Sequence, residues 1–533
     1  MVKYLLKNKF KFILLLFFSL FVVCFKIYFA YLVSLILDSA IGINKIGLLE
    51  LTLRVIIFVF ARMTVSYIYR FIKYDIIKNA VLDLRIDVLL SYFKKNLASV
   101  NSSESEKIYS TITNDIRMLE NDYFNLILNL ITDFASLIIS SFILFKINGL
   151  ILFVILILCI LQTIIPRIFR NKLKEKKAQY VSLNSKYMSY LNNLIEFYEN
   201  IKLNMVEKNM LFKFKDETIK LEYNKFNVNK LNDFVIDVSF GISQIIYFIS
   251  LILGAYLVSI KIISPGIMVG ASQLITNISG PFHNIVGALI MLESSKAIVA
   301  KIKSYISSLN NDFSDISINR FTDCIYLDNV SLIKGNKIIL DSINLKFEKN
   351  KKYCIVGESG SGKSTILRLI SSMEKEYSGN IYIDGINYRD LIDEDIFKII
   401  SFNFNNKLLN DTIKNNISLY REGNLEKALA IGKLEELVSS LEDGIETKLV
   451  ESDKTLSAGE LQRITLARCI YRDYEILILD EGFSNLDINT SHEIEKKLLE
   501  QDITFINVTH KMDKSLLSLY DEVYYIKDGK VSI

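Results

Sequence analysis

Nine consecutive residues, Gly357 to Thr365, read G-E-S-G-S-G-K-S-T. They follow an apolar run, Tyr353 to Val356, that reads as a buried strand, and they precede Ile366 to Met373, which reads as a helix. A glycine-rich loop between strand and helix is the setting in which this spacing cradles a phosphate. Backbone N–H groups must converge on phosphate oxygens, and side chains at Gly357, Gly360 and Gly362 would obstruct that approach. Glu358, Ser359, Ser361 and Thr365 complete the loop. A helix opening at Lys363 directs its free N–H groups and its positive dipole end at the same anion. Lys363 is expected to reach the terminal phosphates, and the Ser364 hydroxyl to ligate Mg²⁺. The stretch predicts a nucleoside triphosphate site.

Three further stretches carry matching chemistry. In Glu475 to Glu481, E-I-L-I-L-D-E, an apolar strand would deliver Asp480 to the Mg²⁺ shell, and Glu481 could polarise an attacking water. A strand ending on acids is weak evidence alone; beside the phosphate loop it is strong. Leu456 to Arg463, L-S-A-G-E-L-Q-R, opens a helical stretch and makes a second anion-binding end. If this chain's own loop is complete, two copies facing head to tail would let Ser457 and Gly459 close over the partner's nucleotide. His510 follows the apolar run Thr504 to Val508 and is placed to contact a γ-phosphate. A lone histidine at a strand end is usually structural, and it is these companions that give it a role.

The elements that must position these residues occupy only the last two fifths of the chain. Of 533 residues 51% are apolar, and the long apolar runs lie in the first 300. Six runs are long enough to cross a bilayer: Phe10 to Leu37, Gly47 to Tyr69, Phe124 to Ile147, Leu150 to Ile168, Phe234 to Ile260 and Ile267 to Leu292. The first is too long for a signal peptide and reads as a retained span. Asp38 to Lys45, Ile147 to Gly149 and Lys261 to Gly266 are short and nearly uncharged. By contrast, Arg70 to Glu120 and Arg170 to Lys230 are long and rich in Lys and Arg. That asymmetry puts the N-terminus, both long connections and the C-terminal domain in the cytoplasm. Leu82, Leu84, Val88, Leu89 and Phe93 are expected to line one face of a spanning helix that continues beyond the membrane.

Lys26, Arg54, Arg62, Asp133 and Asp237 lie in or near the spans, either on a pathway or in structural and interfacial roles. Gln273, Thr276, Asn277, His283 and Asn284 in the sixth run suit a water-filled cavity or inter-helix hydrogen bonds equally. His283 alone makes no metal site. The five cysteines are odd in number and show no C-x-x-C spacing, so neither a zinc site nor a disulfide framework is supported. A net charge of +4 says nothing in favour of nucleic acid, and no nucleic-acid partner is expected.

Beyond a polar linker at Ser307 to Asn319, strands are read at Cys324 to Leu332, Ile338 to Phe347, Tyr353 to Val356 and Ile381 to Asp384. Further strands are read at Ile476 to Leu479 and Thr504 to Val508, with a hairpin turning on Asp528-Gly529. The expected architecture is a membrane α-helical domain of six spanning helices, residues 1–302, and a linker, 303–320. An α/β P-loop ATPase domain, 321–533, follows.

With these residues in place, the chain resembles the ABC transporter half-unit of the exporter type, over essentially its whole length. G-E-S-G-S-G-K-S-T resembles the family's Walker A, L-S-A-G-E its signature, I-L-I-L-D-E its Walker B, Ser484 to Asp487 its D-loop and His510 its switch histidine. Thr113 to Glu120 and Asn193 to Lys202 are similar to its cytoplasmic extensions, where short coupling helices dock on nucleotide domains. The resemblance implies ATP and Mg²⁺ as ligands, held by Walker A of one subunit and Ser457, Ala458, Gly459 and Glu460 of the other. It also implies Glu481 and His510 as the catalytic pair. Departures are specific. Ala458 stands where a second glycine is usual and Glu460 where glutamine is usual. The glutamine expected after an inner strand is absent, Asn405 being the nearest match for an Mg²⁺ contact, in a register uncertain by one residue. No aromatic residue stands near Ile333 or Lys334 to stack on adenine, and Tyr326 is a distant substitute.

The resulting expectation is a dimeric, multi-pass, ATP-driven exporter in a bacterial cell membrane, working by alternating access. Its partners would be a second half-transporter (a homodimer favoured over a heterodimer), membrane lipids and a transported peptide, lipid or drug-like amphiphile. No leader-peptidase segment precedes the first span, which disfavours peptide exporters that cut their cargo. The rivals are an importer on the same scaffold and a non-pumping, ATP-gated regulator.

Overall fold

The structure is a computed structural model that describes all residues except 96, 98–101, 308–316, 336, 404–405, 450–455, 511–513 and 533. It divides into two units. One comprises Met1–Tyr92 with Lys107–Ser307, and the other Phe93–Glu106 with Ser308–Ile533. The segment Phe93–Glu106 therefore departs from the expected grouping of residues 1–302 as one domain.

The first unit contains helices and no strand among its described residues. Lys9–Ala40, Leu48–Phe93, Asn125–Ile147, Gly149–Gln162, Glu207–Ser259 and Pro265–Ser307 carry the six apolar runs. Lys9–Ala40, Lys107–Ile147, Glu207–Ser259 and Pro265–Glu293 are long and apolar enough to cross a membrane, and Gly149–Gln162 is a shorter apolar helix. The fourth run is not continuous to Ile168. Thr163 ends its helix by turning both its N–H and its hydroxyl onto the Ile160 carbonyl, and Pro166 has no N–H to extend the ladder. A new helix, Ile164–Glu196, starts there. Leu48–Phe93 has 46 residues and Glu207–Ser259 has 53. Their lengths, roughly 70 and 80 Å, far exceed a ~30 Å hydrocarbon core.

Packing corrects the face expected for Leu48–Phe93. Ile77, Ala80, Leu84 and Val88 are buried at spacings of three and four, while Leu82, Leu89 and Phe93 are exposed. The same helix presents Asp75, Asp83 and Asp87 along another stripe. Tyr4 donates to Asp87 at 2.6 Å, Lys7 pairs with Asp83 at 2.7 Å, and Lys11 pairs with Asp75. Two of the N-terminal lysines that read as a topological signal are thus engaged in fixing the N-terminal segment. Pro281 interrupts the ladder of Pro265–Ser307. The Asn277 carbonyl it leaves free accepts the Ser136 hydroxyl at 3.1 Å. Asn277 also donates to the Lys26 carbonyl at 3.4 Å, which assigns this residue to inter-helix bonding.

At the other end of Pro265–Ser307, the buried Asp38 carboxylate accepts Gly266 N–H at 2.9 Å and the Ser264 hydroxyl at 2.7 Å. A residue from Lys9–Ala40 therefore satisfies a helix start it is remote from in sequence. Asp38→Ala leaves one buried and one half-buried donor unpaired. It is expected to cost about 2–4 kcal/mol, seen as a lower thermal midpoint in detergent. The last helix runs to Ser307, past the expected boundary at 302, because Ile302 is buried and Ile306 packs with it against the helical core. Half of the expected linker, 308–316, lies outside the described residues.

In the second unit, an antiparallel sheet is formed by β1 (Cys324–Lys334), β2 (Lys337–Glu348), β4 (Ser378–Ile383) and β5 (Ile386–Asn387), in the order β2-β1-β4-β5. The inner sheet runs β10-β9-β3-β8-β7-β6. Its members are β3 (Lys352–Gly357), β6 (Ile400–Asn403), β7 (Ile476–Asp480), β8 (Thr504–Thr509), β9 (Glu522–Lys527) and β10 (Lys530–Ser532). All its pairings are parallel except β9 with β10. Strands β3, β7 and β8 are buried almost throughout, as parallel strands covered on both faces must be. Short β5 and β6 escaped the sequence reading. Ile318 and Phe321 already belong to this core, so the packed domain starts slightly earlier than 321.

Candidate functional site

Strands β3, β8 and β7 are neighbours, and their carboxyl ends deliver Gly357, His510 and Asp480-Glu481 to one edge of the sheet. Such an edge is where open α/β sheets bind ligands. Beyond β3 the loop folds as its glycines demand. A Cβ at Gly357 would lie 2.3 Å from the Ile526 carbonyl oxygen. Gly362 has φ +108° and caps the helix Lys363–Ile370; a Cβ there would meet Leu340 at 2.7 Å. Both glycines are thus required by protein neighbours, and not only by access to a phosphate.

Lys363 is buried at the helix start, with its ammonium on the carbonyls of Gly357 at 2.8 Å and Glu358 at 2.6 Å. Burial pulls its pKa down, opposed by the charges of Glu481 and Asp480. The amine therefore closes the loop on itself and has donors of the right charge to exchange onto phosphate oxygens. The Ser361 hydroxyl, in the same loop, is buried with no hydrogen-bond partner among the described residues.

A cavity of about 320 Å³ opens beside the loop, lined by Ser364, Asn403, Asn406, Gln462, Asp480, Glu481 and Ser484. Asp480 contributes a buried Oδ1 that has no hydrogen-bond partner among the described residues. A hydroxyl, a carboxylate oxygen and amide oxygens are the hard donors that Mg²⁺ takes, so the residues present fit that ion. Asn405 lies outside the described residues. The amides that line the cavity belong to Asn403 and Asn406, both held by Thr465: Asn403 Nδ2 donates to its hydroxyl at 3.4 Å, and that hydroxyl donates to Asn406 Oδ1 at 3.0 Å.

Glu481 has φ +52°, an unfavourable backbone for a non-glycine residue, of the kind that concentrates at functional positions. Its N–H continues the β7–β8 ladder onto the Val508 carbonyl at 3.0 Å. Its carboxylate meets His510 Nε2 at 2.6 Å, while His510 Nδ1 lies 2.9 Å from the Gly357 carbonyl. A carbonyl only accepts, so the His510 contact to Gly357 is one in which Nδ1 donates. The histidine thereby ties the phosphate loop to the acid at the end of β7.

Gln462 was not singled out from sequence, yet it fixes this acid from the other side. Its Nε2 donates to the Glu481 carbonyl at 3.1 Å, and its Oε1 accepts Asn485 N–H at 2.9 Å. Gln462→Ala removes both restraints. It is expected to slow ATP hydrolysis about tenfold, measured by phosphate release, through loss of positioning. Asp487, at the end of the Ser484 to Asp487 stretch, accepts Thr490 N–H at 2.9 Å as a helix cap, a contact that holds its pKa down.

Ser457 caps the helix Ala458–Ile470 and forms a capping box with Glu460. None of Ser457, Ala458, Gly459 or Glu460 is among the described residues lining the cavity beside the loop. Ile333 and Ile338 face each other across β1 and β2 and are both exposed, while Tyr326 is paired farther along β1.

Comparison with known proteins accords with this geometry. Residues 12–282 match the family model described as the ABC transporter transmembrane region, and residues 340–484 match that described as ABC transporter. An ATP-dependent lipid A-core flippase of Desulfotalea psychrophila is 25% identical, over 94% of this chain and 89% of its own. The lactococcin-A transport/processing ATP-binding protein LcnC of Lactococcus lactis is 26% identical over 84% of this chain, but over only 64% of its own. The fold is similar to that of a bacterial Atm1-family ABC exporter solved with ATP bound. The TM-score is 0.81 at 17% identity, covering 98% of this chain and 94% of that one.

Proposed function

The chain belongs to the ABC transporter family, as an ATP-hydrolysing half-transporter with the exporter-type architecture, and from that footing we propose that two such subunits clamp ATP between them to export an amphiphile. In this reading each nucleotide is held by Gly357, Glu358, Ser359, Gly360, Ser361, Gly362, Lys363, Ser364 and Thr365 of one subunit. Ser457, Ala458 and Gly459 of the other subunit close over it. The observation that carries the reading is the meeting of Lys363, Asp480, Glu481 and His510 at the ends of β3, β7 and β8, with the signature helix start outside that cavity.

Ser364, Asp480 and Asn406 would hold Mg²⁺, which supplies charge neutralisation between the phosphates when bound. Lys363 releases its loop carbonyls and takes phosphate oxygens. Glu481 orients a water for in-line attack and accepts its proton. His510, already bonded to Gly357 and Glu481, holds that acid beside the phosphate loop. Closure of the paired ATPase units favours an outward-open cavity, and hydrolysis releases it.

A lipid or other amphiphile as cargo is supported by relatives whose names assign them lipid A-core or lactococcin transport, and by the apolar membrane unit. The ATPase domain and the N-terminus are assigned to the cytoplasm, on the charge asymmetry of the connections. The test is ATP-dependent accumulation of a fluorescent phospholipid or hydrophobic peptide in inside-out against right-side-out vesicles. Export predicts uptake only where ATP meets the outward-turned ATPase domain of inside-out vesicles. ATPase activity of the purified chain alone further separates a homodimer from a subunit that needs a different partner.

A further inference from the structure

We propose that Glu460 withholds Ser457 from the nucleotide, so that this chain's signature engages a triphosphate only after the Glu460 carboxylate lets go. The inference rests on the composite-site reading above and names what regulates that site.

The Ser457 hydroxyl donates to Glu460 Oε2 at 2.9 Å and accepts Glu460 N–H at 3.2 Å, while Ser457 N–H donates to the same carboxylate oxygen at 2.7 Å. A serine hydroxyl has one proton. Here that proton is given to the carboxylate, and what remains on the oxygen is a lone pair. A phosphate oxygen is itself an acceptor, so it gains nothing from Ser457 in this arrangement. Charge adds to the effect. The positive end of the helix Ala458–Ile470 attracts an anion, and Glu460 already supplies one from within the first turn. An incoming triphosphate therefore meets an occupied hydroxyl and a like charge.

A glutamine at this position separates the two roles. Its carbonyl oxygen still accepts Ser457 N–H, so the cap survives, but the negative charge is gone and the hydroxyl is held less tightly. Alanine removes the charge and the cap together. Both variants are made in a Glu481→Gln background, where the closed dimer accumulates. The readouts are ATP-dependent dimer formation by light scattering, thermal midpoint, and binding of trinitrophenyl-ATP to the phosphate loop.

Glu460→Gln is expected to lower the ATP concentration for half-maximal dimer formation roughly tenfold, with thermal midpoint unchanged and trinitrophenyl-ATP binding unchanged only at subunit concentrations too low for dimer formation. Glu460→Ala is expected to lower it similarly while also lowering the midpoint. An unchanged ATP requirement in Glu460→Gln, with only the alanine variant destabilised, would make Glu460 a helix cap and overturn the proposal. If no variant dimerises at saturating trinitrophenyl-ATP, the composite-site reading itself has failed, and this inference with it.

Discussion

Glu481→Gln is expected to abolish ATP hydrolysis, by at least about 100-fold, and to leave ATP binding intact. Glutamine keeps the size of the side chain and one acceptor oxygen, so the packing at the end of β7 and the contact to His510 can persist. What is lost is the capacity to take a proton from water. The strained backbone at this residue favours the same outcome: the fold holds φ +52° through the ladder to Val508 and the bond from Gln462 to the Glu481 carbonyl, neither of which involves the carboxylate. Phosphate release and trinitrophenyl-ATP binding, measured on one preparation, separate the two properties. Hydrolysis within a few-fold of wild type would place the base elsewhere. Loss of binding would mean that the carboxylate acts mainly by holding His510 against the loop.

Lys363→Ala has a different signature. Binding is expected to fall by about 100-fold or more, since two charge-assisted hydrogen bonds to phosphate are lost at a buried position. Hydrolysis falls with it at ordinary ATP concentrations. The same amine bridges Gly357 and Glu358 in the structure, so the variant also loses a restraint on the empty loop. Lys363→Arg does not rescue it, because a planar guanidinium cannot take the place of the single ammonium held between the Gly357 and Glu358 carbonyls. Titration with trinitrophenyl-ATP measures this directly, and retained affinity would contradict the phosphate role.

The parts of this molecule legible in its sequence are those set by local chemistry. Strands β3, β7 and β8 stand out as unbroken apolar runs because both faces are covered. The turn at Asp528-Gly529 is legible because both residues take positive φ, which a tight hairpin requires. Strand β6 was not, since Ile400–Asn403 is only four residues long and follows the helix Asp393–Ile399 with no turn signal between them. Contacts between distant segments leave no local mark. The acids at Asp75, Asp83 and Asp87 show an obvious spacing, yet nothing in it says that Tyr4, Lys7 and Lys11 are their partners. Gln462 likewise looks like any polar residue on a helix until Glu481 and Asn485 are brought to its two ends. The spacing of Ser457 and Glu460 is an intermediate case: it spells a capping box on sight, but its bearing on the nucleotide emerges only from the direction of each hydrogen bond.

The central claim is that two chains each supply half of one nucleotide site. The most direct test is the mass of the Glu481→Gln chain in lipid nanodiscs and in detergent, with and without Mg-ATP, determined alone and with candidate partner half-transporters. A nucleotide-dependent two-subunit species, lost when Lys363 is replaced by alanine, is the predicted result. A chain that binds ATP yet remains strictly monomeric under all of these conditions contradicts the account.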